Sequence, residues 1–418
     1  MGLFKKKKLA IEKAKIEKTH EIICLYCFRN FNHDRVLFRA VSAIDSEGYR
    51  AAIDHPLDEY RARFFMGSLG ELPVVLDPDE VGEANKGYLR GILSSLKDSH
   101  GNTSTKRLCP YCHNDVPAIA GFAPSTIISI IGAPGAGKSV YLTSLIHTLK
   151  SVTSHNFDVF CTPISNEMGR KFKFEYEDPL LDTGYLADST QKQQEPLIFT
   201  FSFADGTKPE INIAFFDIVG EGRANLEYLE IFAAHVRNSS GVMFMVDPQQ
   251  FRPISRRIHM MNQMNYDIGA SREPAEVLST LVENYIYKQS NGISNIPTAV
   301  VLTKTDLLEA ISYEGDYIRP RSNVFSRYTH QDHLNLTQTD IVNYEIDEFI
   351  QRIDPNFRNA LQRRFAHLGM FGVSSVGTNP DAINQRLAQF APVRVDEPFL
   401  WLLYKLGYVE GFYEGARL

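Results

Sequence analysis

Much is scarce in this chain of 418 residues, and each absence narrows what the protein does. No apolar run approaches the length of about 20 residues that a membrane-spanning helix needs, so no such helix is expected. The opening MGLFKKKKL has charge but neither a following apolar segment nor a small-residue cleavage site, so no secretory signal is expected. Lys6 stands where N-myristoylation wants Ser or Thr. Positive charge is not in excess either: 44 Lys and Arg against 50 Asp and Glu leave a net charge of -6. That balance argues against a surface built to hold nucleic acid, and no aromatic residues interleave with a basic stripe. With 44% hydrophobic and 22% charged residues, a packed core is feasible and wholesale disorder is not expected. The length allows two or three domains, and the expected location is cytoplasmic.

What is present is organised by Thr126 to Leu149, TIISIIGAPGAGKSVYLTSLIHTL. An Ile-rich run from Ile127 to Ile131 breaks at Gly132, and helical spacing resumes at Tyr141, Leu142, Leu145 and Leu149. Strand, loop and helix are expected in that order. Gly132, Ala133, Pro134, Gly135, Ala136, Gly137, Lys138 and Ser139 match G-x-x-x-x-G-K-[ST] in full, and Val140 completes the expected phosphate-binding segment. Glycines let backbone N–H groups close around a phosphate, where the helix start adds partial positive charge. Lys138 is expected to reach the β- and γ-phosphates, and Ser139 to ligate Mg²⁺.

Downstream, LIFTFSF and INIAFF flank ADGTKPE as a β-hairpin. The second strand ends in FFDIVGEG, placing Asp217 at its end and Gly220 three residues on. A carboxylate there can hold Mg²⁺, usually through water, and a glycine N–H can meet the γ-phosphate. GVMFMVD, from Gly241 to Asp247, predicts another buried parallel strand. The segment RPISRRIHMMNQMNYDIG then reads as irregular, its methionines serving packing or a lid. Residues 273 to 289 and the stretch DIVNYEIDEFIQRI space apolar side chains as helices. TAVVLTKTD delivers Thr303, Lys304 and Asp306. A carboxylate at Asp306 can accept hydrogen bonds from the N1 and N2 donors of guanine, an edge adenine lacks, while Lys304 lays its stem across the base. HLGMFGVSSVG predicts a strand ending at Ser374, Ser375 and Val376, whose amides can touch the base carbonyl. EPFLWLLYKLGY predicts a short core helix around Trp401, the only tryptophan.

Cys24 and Cys27 in C-L-Y-C, and Cys109 and Cys112 in C-P-Y-C, supply the four thiolates of a tetrahedral zinc site. Disulfides are disfavoured in a reducing compartment. Residues 28 to 108 separate the pairs, 81 in all, against about 15 to 20 in the compact pattern. An inserted subdomain is therefore expected, with RVLFRAVSA a strand and both LDEYRARFFMGSL and EANKGYLRGILSSL helices. His33 and His113 are expected on the surface, and Cys161 as a small buried residue. The Lys-rich residues 1 to 20 read as a solvated helix. Lys5 to Lys8 allow weak contact with a membrane surface, on the order of 1 kcal/mol each near acidic lipid. The expected domains are a basic lead at 1–20, a split zinc ribbon with insertion at 21–120, and a nucleotide-binding domain at 121–418.

The ordered set GAPGAGKS, DIVG, TKTD and SSV resembles the Ras-like GTPases of the translation-factor-related P-loop class, over roughly residues 125 to 410. The zinc ribbon, the loop GYLADSTQKQQEPL and the stretch DEPFLWLLYKLG together resemble the prokaryotic double-GTPase family. Its members are associated with predicted conflict or defence systems and are thought to work beside other encoded components. The resemblance implies an α/β fold with a mostly parallel central sheet flanked by helices, plus an N-terminal zinc-binding α+β subdomain. It implies GTP and GDP as ligands, Mg²⁺ and Zn²⁺ as metals, GTP hydrolysis in a nucleotide-dependent switch, and protein partners from the same system. It further implies that Lys138 and Ser139 serve phosphate and Mg²⁺, that Asp217 and Gly220 form the second switch, and that Asp306 selects guanine. Thr190, with Thr183 second, is the expected first-switch threonine closing on Mg²⁺.

Two positions depart from the family's commonest pattern. Thr303 replaces the usual asparagine before Lys304, which is expected to weaken loop-to-loop hydrogen bonding. Glu221 stands where a water-positioning glutamine is common, and its charge beside a γ-phosphate is costly, so slow intrinsic hydrolysis is expected. No arginine finger is assigned, although Arg223 is near enough in the chain to test. Two other functions stay open: an assembly scaffold that scarcely turns nucleotide over, suggested by Glu221, and a zinc module binding nucleic acid near Lys106 and Arg107.

Overall fold

The computed structural model describes residues 21–415 apart from 46–47, 123–124, 186–194, 205, 207, 209, 218–234, 237, 263–272, 282–291, 313–317, 320, 379–385 and 388. Contacts gather the chain into two compact units, one of residues 1–126 and 192–214, the other of residues 127–191 and 215–418. The basic lead at 1–20 lies outside the described residues.

The elements that position the site are, in chain order, β1 (Ser125–Gly132), α1 (Lys138–Thr148), β2 (Val159–Pro163), β3 (Leu197–Phe203), β4 (Ile211–Asp217), β5 (Gly241–Val246), α2 (Arg252–Asn262), α3 (Pro274–Leu281), β6 (Thr298–Leu302), α4 (Thr305–Ile311), α5 (Leu336–Ile353), α6 (Pro355–Arg364), β7 (Leu368–Gly372) and α7 (Glu397–Lys405). The strands β1 to β7 make up one seven-stranded sheet. Its parallel block is set by unbroken apolar runs: β5 and β6 are buried at every position, as strands covered on both faces must be. Gly132 of β1 pairs with Met245, Val246 with Leu302, and Leu302 with Gly372, all in parallel register. The C-terminal ends of β1, β5, β6 and β7 therefore lie side by side, and the four loops leaving them share one edge. In open α/β sheets that edge is where ligands bind.

Helices close over this block. In α5, Val342, Ile346, Phe349 and Ile350 form the buried stripe that packs on β7. α7 packs on β6 and β7 and buries Phe399, Leu400, Trp401 and Leu402, each worth roughly 1.5–3 kcal/mol when fully covered. The indole of Trp401 meets the Phe371 ring edge-on at 5.6 Å. Gly369 makes that approach possible, because a Cβ there would stand 2.9 Å from the indole.

Three segments differ from the sequence expectation. EANKGYLRGILSSL is not a helix: Lys86–Leu89 and Ile92–Lys97 form an antiparallel hairpin with Leu93 opposite Tyr88. Arg90 and Gly91 both take positive φ, 51° and 81°, as a tight two-residue hairpin turn requires. The opening of RPISRRIHMMNQMNYDIG is the helix α2, with Ile254 and Ile258 buried one turn apart. Residues 151 to 195, whose apolar side chains follow no clean period in the sequence, contain β2 and the helices Asn166–Phe172 and Asp178–Leu181.

Candidate functional site

The phosphate-loop segment leaves β1 at Gly132 and enters α1 at Lys138. Gly135 and Gly137 take φ of 78° and 80°, left-handed conformations that favour glycine. Lys138 is only 7% exposed, and its Nζ donates to the carbonyls of Gly132 and Ala133 at 3.1 Å each. The ammonium is thus held within the bend of its own loop. No acidic residue occupies the first turn of α1, so the positive end of the helix dipole is left to act on an anion.

The loop after β6 reaches back to this segment. Thr303, 1% exposed, shares its hydroxyl proton between the Ala136 carbonyl at 3.0 Å and the Val246 carbonyl at 3.2 Å. The loop-to-loop bond expected to be weak is therefore present, in forked form. Because the peptide unit is planar, turning the Ala136 carbonyl toward Thr303 sends the Gly137 N–H the opposite way. Lys304, at φ 50°, donates to the Gly135 carbonyl at 3.0 Å and to Asp247 Oδ2 at 2.6 Å. Asp247 follows β5, and no local sequence pattern points to this role.

Asp306 lies in the first turn of α4. The Ser374 hydroxyl donates to its Oδ1 at 2.6 Å and accepts the Gly377 N–H at 2.9 Å. That bond fixes the rotation of the carboxylate, as two parallel hydrogen bonds to a planar donor edge demand. The carbonyls of Ser374, Ser375 and Val376 accept from the Val393 N–H, the Ser144 hydroxyl and the Ala391 N–H. The segment facing this loop is anchored by Arg394, whose guanidinium donates to the carbonyls of Asn323 and Ser326 and pairs with Glu397 at 2.9 Å. Burial alone would raise the Glu397 carboxyl, but His330 and Arg394 beside it hold it below the usual carboxylate range. The Tyr141 hydroxyl donates to the Val395 carbonyl at 2.9 Å, tying the same segment to α1.

The structure thus brings Gly132 to Val140, Thr303, Lys304, Asp306 and Ser374 to Val376 to one sheet edge. Asp217 closes β4, and nothing is described of its side chain. Thr190, Gly220, Glu221 and Arg223 lie outside the described residues. Thr183 is described, and its hydroxyl donates to the Pro179 carbonyl at 2.6 Å. Further along the chain, buried His235 places Nδ1 at 2.7 Å from Ser129 Oγ on β1. Burial drives the His235 imidazole down to about 3, so it stays neutral.

In the smaller unit the four sulfurs of Cys24, Cys27, Cys109 and Cys112 all lie within 4.8 Å of one another, and none is in a disulfide. Cys24 Sγ is 3.7 Å from Cys112 Sγ, and Cys27 Sγ is 3.7 Å from Cys109 Sγ. Four thiolates about 2.3 Å from a zinc ion sit roughly 3.8 Å apart in a tetrahedron, so the donor set fits that metal. The two turns are near copies. Tyr26 N–H and Tyr111 N–H each reach the first sulfur of their turn at 3.4 Å. Phe28 and His113 take φ of 60° and 53° in equivalent places. Burial pushes the Cys24 thiol well up, with the neighbouring sulfurs adding to it, so holding it as thiolate calls for a cation.

His113 is not the surface residue expected. Its Nδ1 lies 2.7 Å from Asp54 Oδ1, Asp54 also pairs with buried Arg39, and the same carboxylate caps the helix His55–Arg63. His33 is half-buried and accepts the Leu93 N–H at 3.2 Å. His113 thus ties the insertion to the second cysteine turn, and His33 links two parts of the insertion itself.

Among curated proteins, the chain is 24% identical over 331 residues to the "Putative ESX-1 scaffolding and assembly protein SaeC" of Mycolicibacterium smegmatis, covering 72% of this chain and 80% of that one. Among solved structures it is similar to the Arl6 BBS3 small GTPase from Trypanosoma brucei with a bound nucleotide analogue, at 11% identity and a TM-score of 0.31, covering 69% of this chain and 100% of that one. A bacterial selenocysteine-specific elongation factor, EF-Sec, follows at 14% identity and a TM-score of 0.23, covering 60% and 26%. Scores this low carry no argument about this chain. The sequence model described as Double-GTPase 2 matches residues 126–385, which hold the phosphate loop, the Thr303 to Asp306 clamp and Ser374 to Val376. With more than half of its length matched, and all of the sheet edge described above within the match, this chain belongs to the Double-GTPase 2 family.

Proposed function

We propose that the chain binds GTP and GDP with Mg²⁺ at the C-terminal edge of the parallel block, hydrolyses GTP slowly, and acts as a nucleotide-dependent switch. The observation that carries this reading is the clamp in which Thr303 and Lys304 bond the carbonyls of Ala136 and Gly135. It joins a loop suited to phosphates to a carboxylate suited to guanine. In this reading Lys138 meets the β- and γ-phosphates, Ser139 and Asp217 serve Mg²⁺, and Asp306 reads the base. Thr190 and Gly220 sense the γ-phosphate, and their loops relax once it leaves. Glu221 orients water poorly, which keeps intrinsic turnover low. Cys24, Cys27, Cys109 and Cys112 hold Zn²⁺, which would supply a fixed tetrahedral cross-link for the smaller unit. A place in a prokaryotic conflict or defence system belongs to the proposal through the family alone, and a cytoplasmic location through the sequence reading. Single-turnover assays test it: Mg²⁺-dependent phosphate release that disappears in Lys138→Ala supports the assignment. Release unchanged in that variant refutes it.

A second reading, a nucleotide-dependent assembly scaffold with little turnover, is favoured by one observation, the relative named as a scaffolding and assembly protein. Protein partners follow from either reading. Sedimentation with GTP and with GDP separates them: assembly that tracks GTP without phosphate release favours the scaffold, and turnover without assembly favours the switch.

A further inference from the structure

We propose that Asp247 is a positioning residue for the nucleotide, fixing the Lys304 ammonium so that the lysine stem is laid in place before a base arrives. The inference rests on the guanine-nucleotide reading of the site. Asp247 is itself held rigidly. Its N–H donates to Gln250 Oε1 at 2.8 Å, and its Oδ1 accepts the Gln249 N–H at 2.8 Å, so the residue caps the short helix Pro248–Gln250 in both directions. The remaining oxygen, Oδ2, takes Lys304 Nζ at 2.6 Å.

Position in the sheet explains why these two residues meet. Val246 pairs with Leu302 in parallel register, and the Thr303 N–H continues the ladder to the Val246 carbonyl at 2.9 Å. The next residues on the two strands' exits, Asp247 and Lys304, then face one another. Lys304 bends to φ 50° to make this contact and the bond to Gly135.

A pair between exposed ions contributes little, because water screens it and two mobile side chains must be ordered. This pair is asymmetric. The Asp247 side chain is 8% exposed and already immobile, whereas that of Lys304 is 37% exposed. Only the lysine has freedom to lose, and Asp247 removes that freedom ahead of binding, which is preorganisation. The ammonium also stays beside the Gly135 carbonyl and so supports the phosphate loop. Asp247 acts through Lys304 alone and is blind to the identity of the base. Asp306 selects the base and has no part in holding the lysine.

The test is a double-variant cycle on the full chain, titrating GDP with Mg²⁺ by calorimetry against wild type, Asp247→Asn, Lys304→Ala and the double variant. Asparagine keeps an acceptor for the Gln249 N–H, so the cap survives while the charge is lost. Asp247→Asn is expected to weaken GDP binding about tenfold, the size of a lost charge-assisted bond. Lys304→Ala weakens it at least as much, and the double variant no further. A loss that persists undiminished in the Lys304→Ala background overturns the proposal, as does wild-type affinity in Asp247→Asn. Should the asparagine variant not fold, Asp247→Ser, which also offers the cap an acceptor, is read in the same cycle. Failure of the guanine reading shows separately: wild type taking ADP as tightly as GDP ends that assignment. The coupling between Asp247 and Lys304 is then measured with either nucleotide. Wild type that takes neither nucleotide overturns both.

Discussion

Replacing Thr303 with valine removes one hydroxyl and nearly nothing else. The two side chains share β-branching and the preference for strand ends, so the backbone has no reason to move. Val246 keeps a donor in the Thr303 N–H at 2.9 Å, but the Ala136 carbonyl loses the hydroxyl that reaches it at 3.0 Å. A buried acceptor stripped of its donor costs about 1–3 kcal/mol. Because the proton is forked, with 3.2 Å to Val246, the low end applies, about 1–1.4 kcal/mol. Lys304 still holds Gly135, so the phosphate loop loosens at Ala136 without opening. GDP should then leave about five to ten times faster, by the usual conversion of 1.4 kcal/mol per factor of ten. The assay is displacement of a fluorescent GDP analogue by excess GTP, run beside thermal unfolding of the nucleotide-free protein. Thr303→Asn, with a donor on a longer side chain, recovers most of the wild-type rate. A lower unfolding temperature with an unchanged GDP off-rate would show that the hydroxyl serves stability alone and would refute the reasoning.

Three further outcomes are expected. Zinc bound at one ion per chain and lost in Cys27→Ser should leave the hairpin Lys86–Lys97 open to protease; unchanged resistance in the metal-free variant contradicts the four-cysteine site. His235 is held at about 3, below its ordinary value near 6.5, so only the unfolded chain gains its proton in between. Stability from this group is complete above about pH 6.5 and falls by up to about 1.4 kcal/mol per pH unit as pH drops toward 3. Urea midpoints at pH 7, 6 and 5 should therefore fall faster in wild type than in His235→Asn, and parallel curves count against the buried neutral imidazole. Gly377→Ala places a Cβ 1.9 Å from the Ala391 carbonyl oxygen at φ 77°, and should cost about 2 kcal/mol or more. Wild-type stability and GDP affinity together would mean the loop packs differently.

The loops at the sheet edge were legible because phosphate and base chemistry demand fixed residue types at fixed distances from strand ends. Ile127 to Ile131, GVMFMV and TAVVL announced their strands because both faces are covered, leaving no polar alternation to misread. Asp247 was invisible for the opposite reason: an aspartate after a buried strand looks like a cap, which it also is, and only the β5–β6 register sets it against Lys304. In EANKGYLRGILSSL the apolar residues recur at spacings both periods tolerate, and the Arg90–Gly91 turn decided between them. Pro253 and four basic residues obscured α2, although Pro is tolerated in a first helical turn and Ile254 and Ile258 are spaced for one face. His113 lacked any local signal, since its partner Asp54, itself paired with Arg39, is far off in sequence.

The most direct measurement is calorimetric titration of GDP and ADP into wild type, with xanthosine diphosphate added for Asp306→Asn. A carboxylate held by Ser374 should take GDP and reject ADP, and the amide, offering a donor where guanine needs an acceptor, should move preference toward xanthine. Equal affinity for GDP and ADP in wild type, or an Asp306→Asn variant that still prefers GDP, would contradict the assignment of this edge to guanine nucleotide.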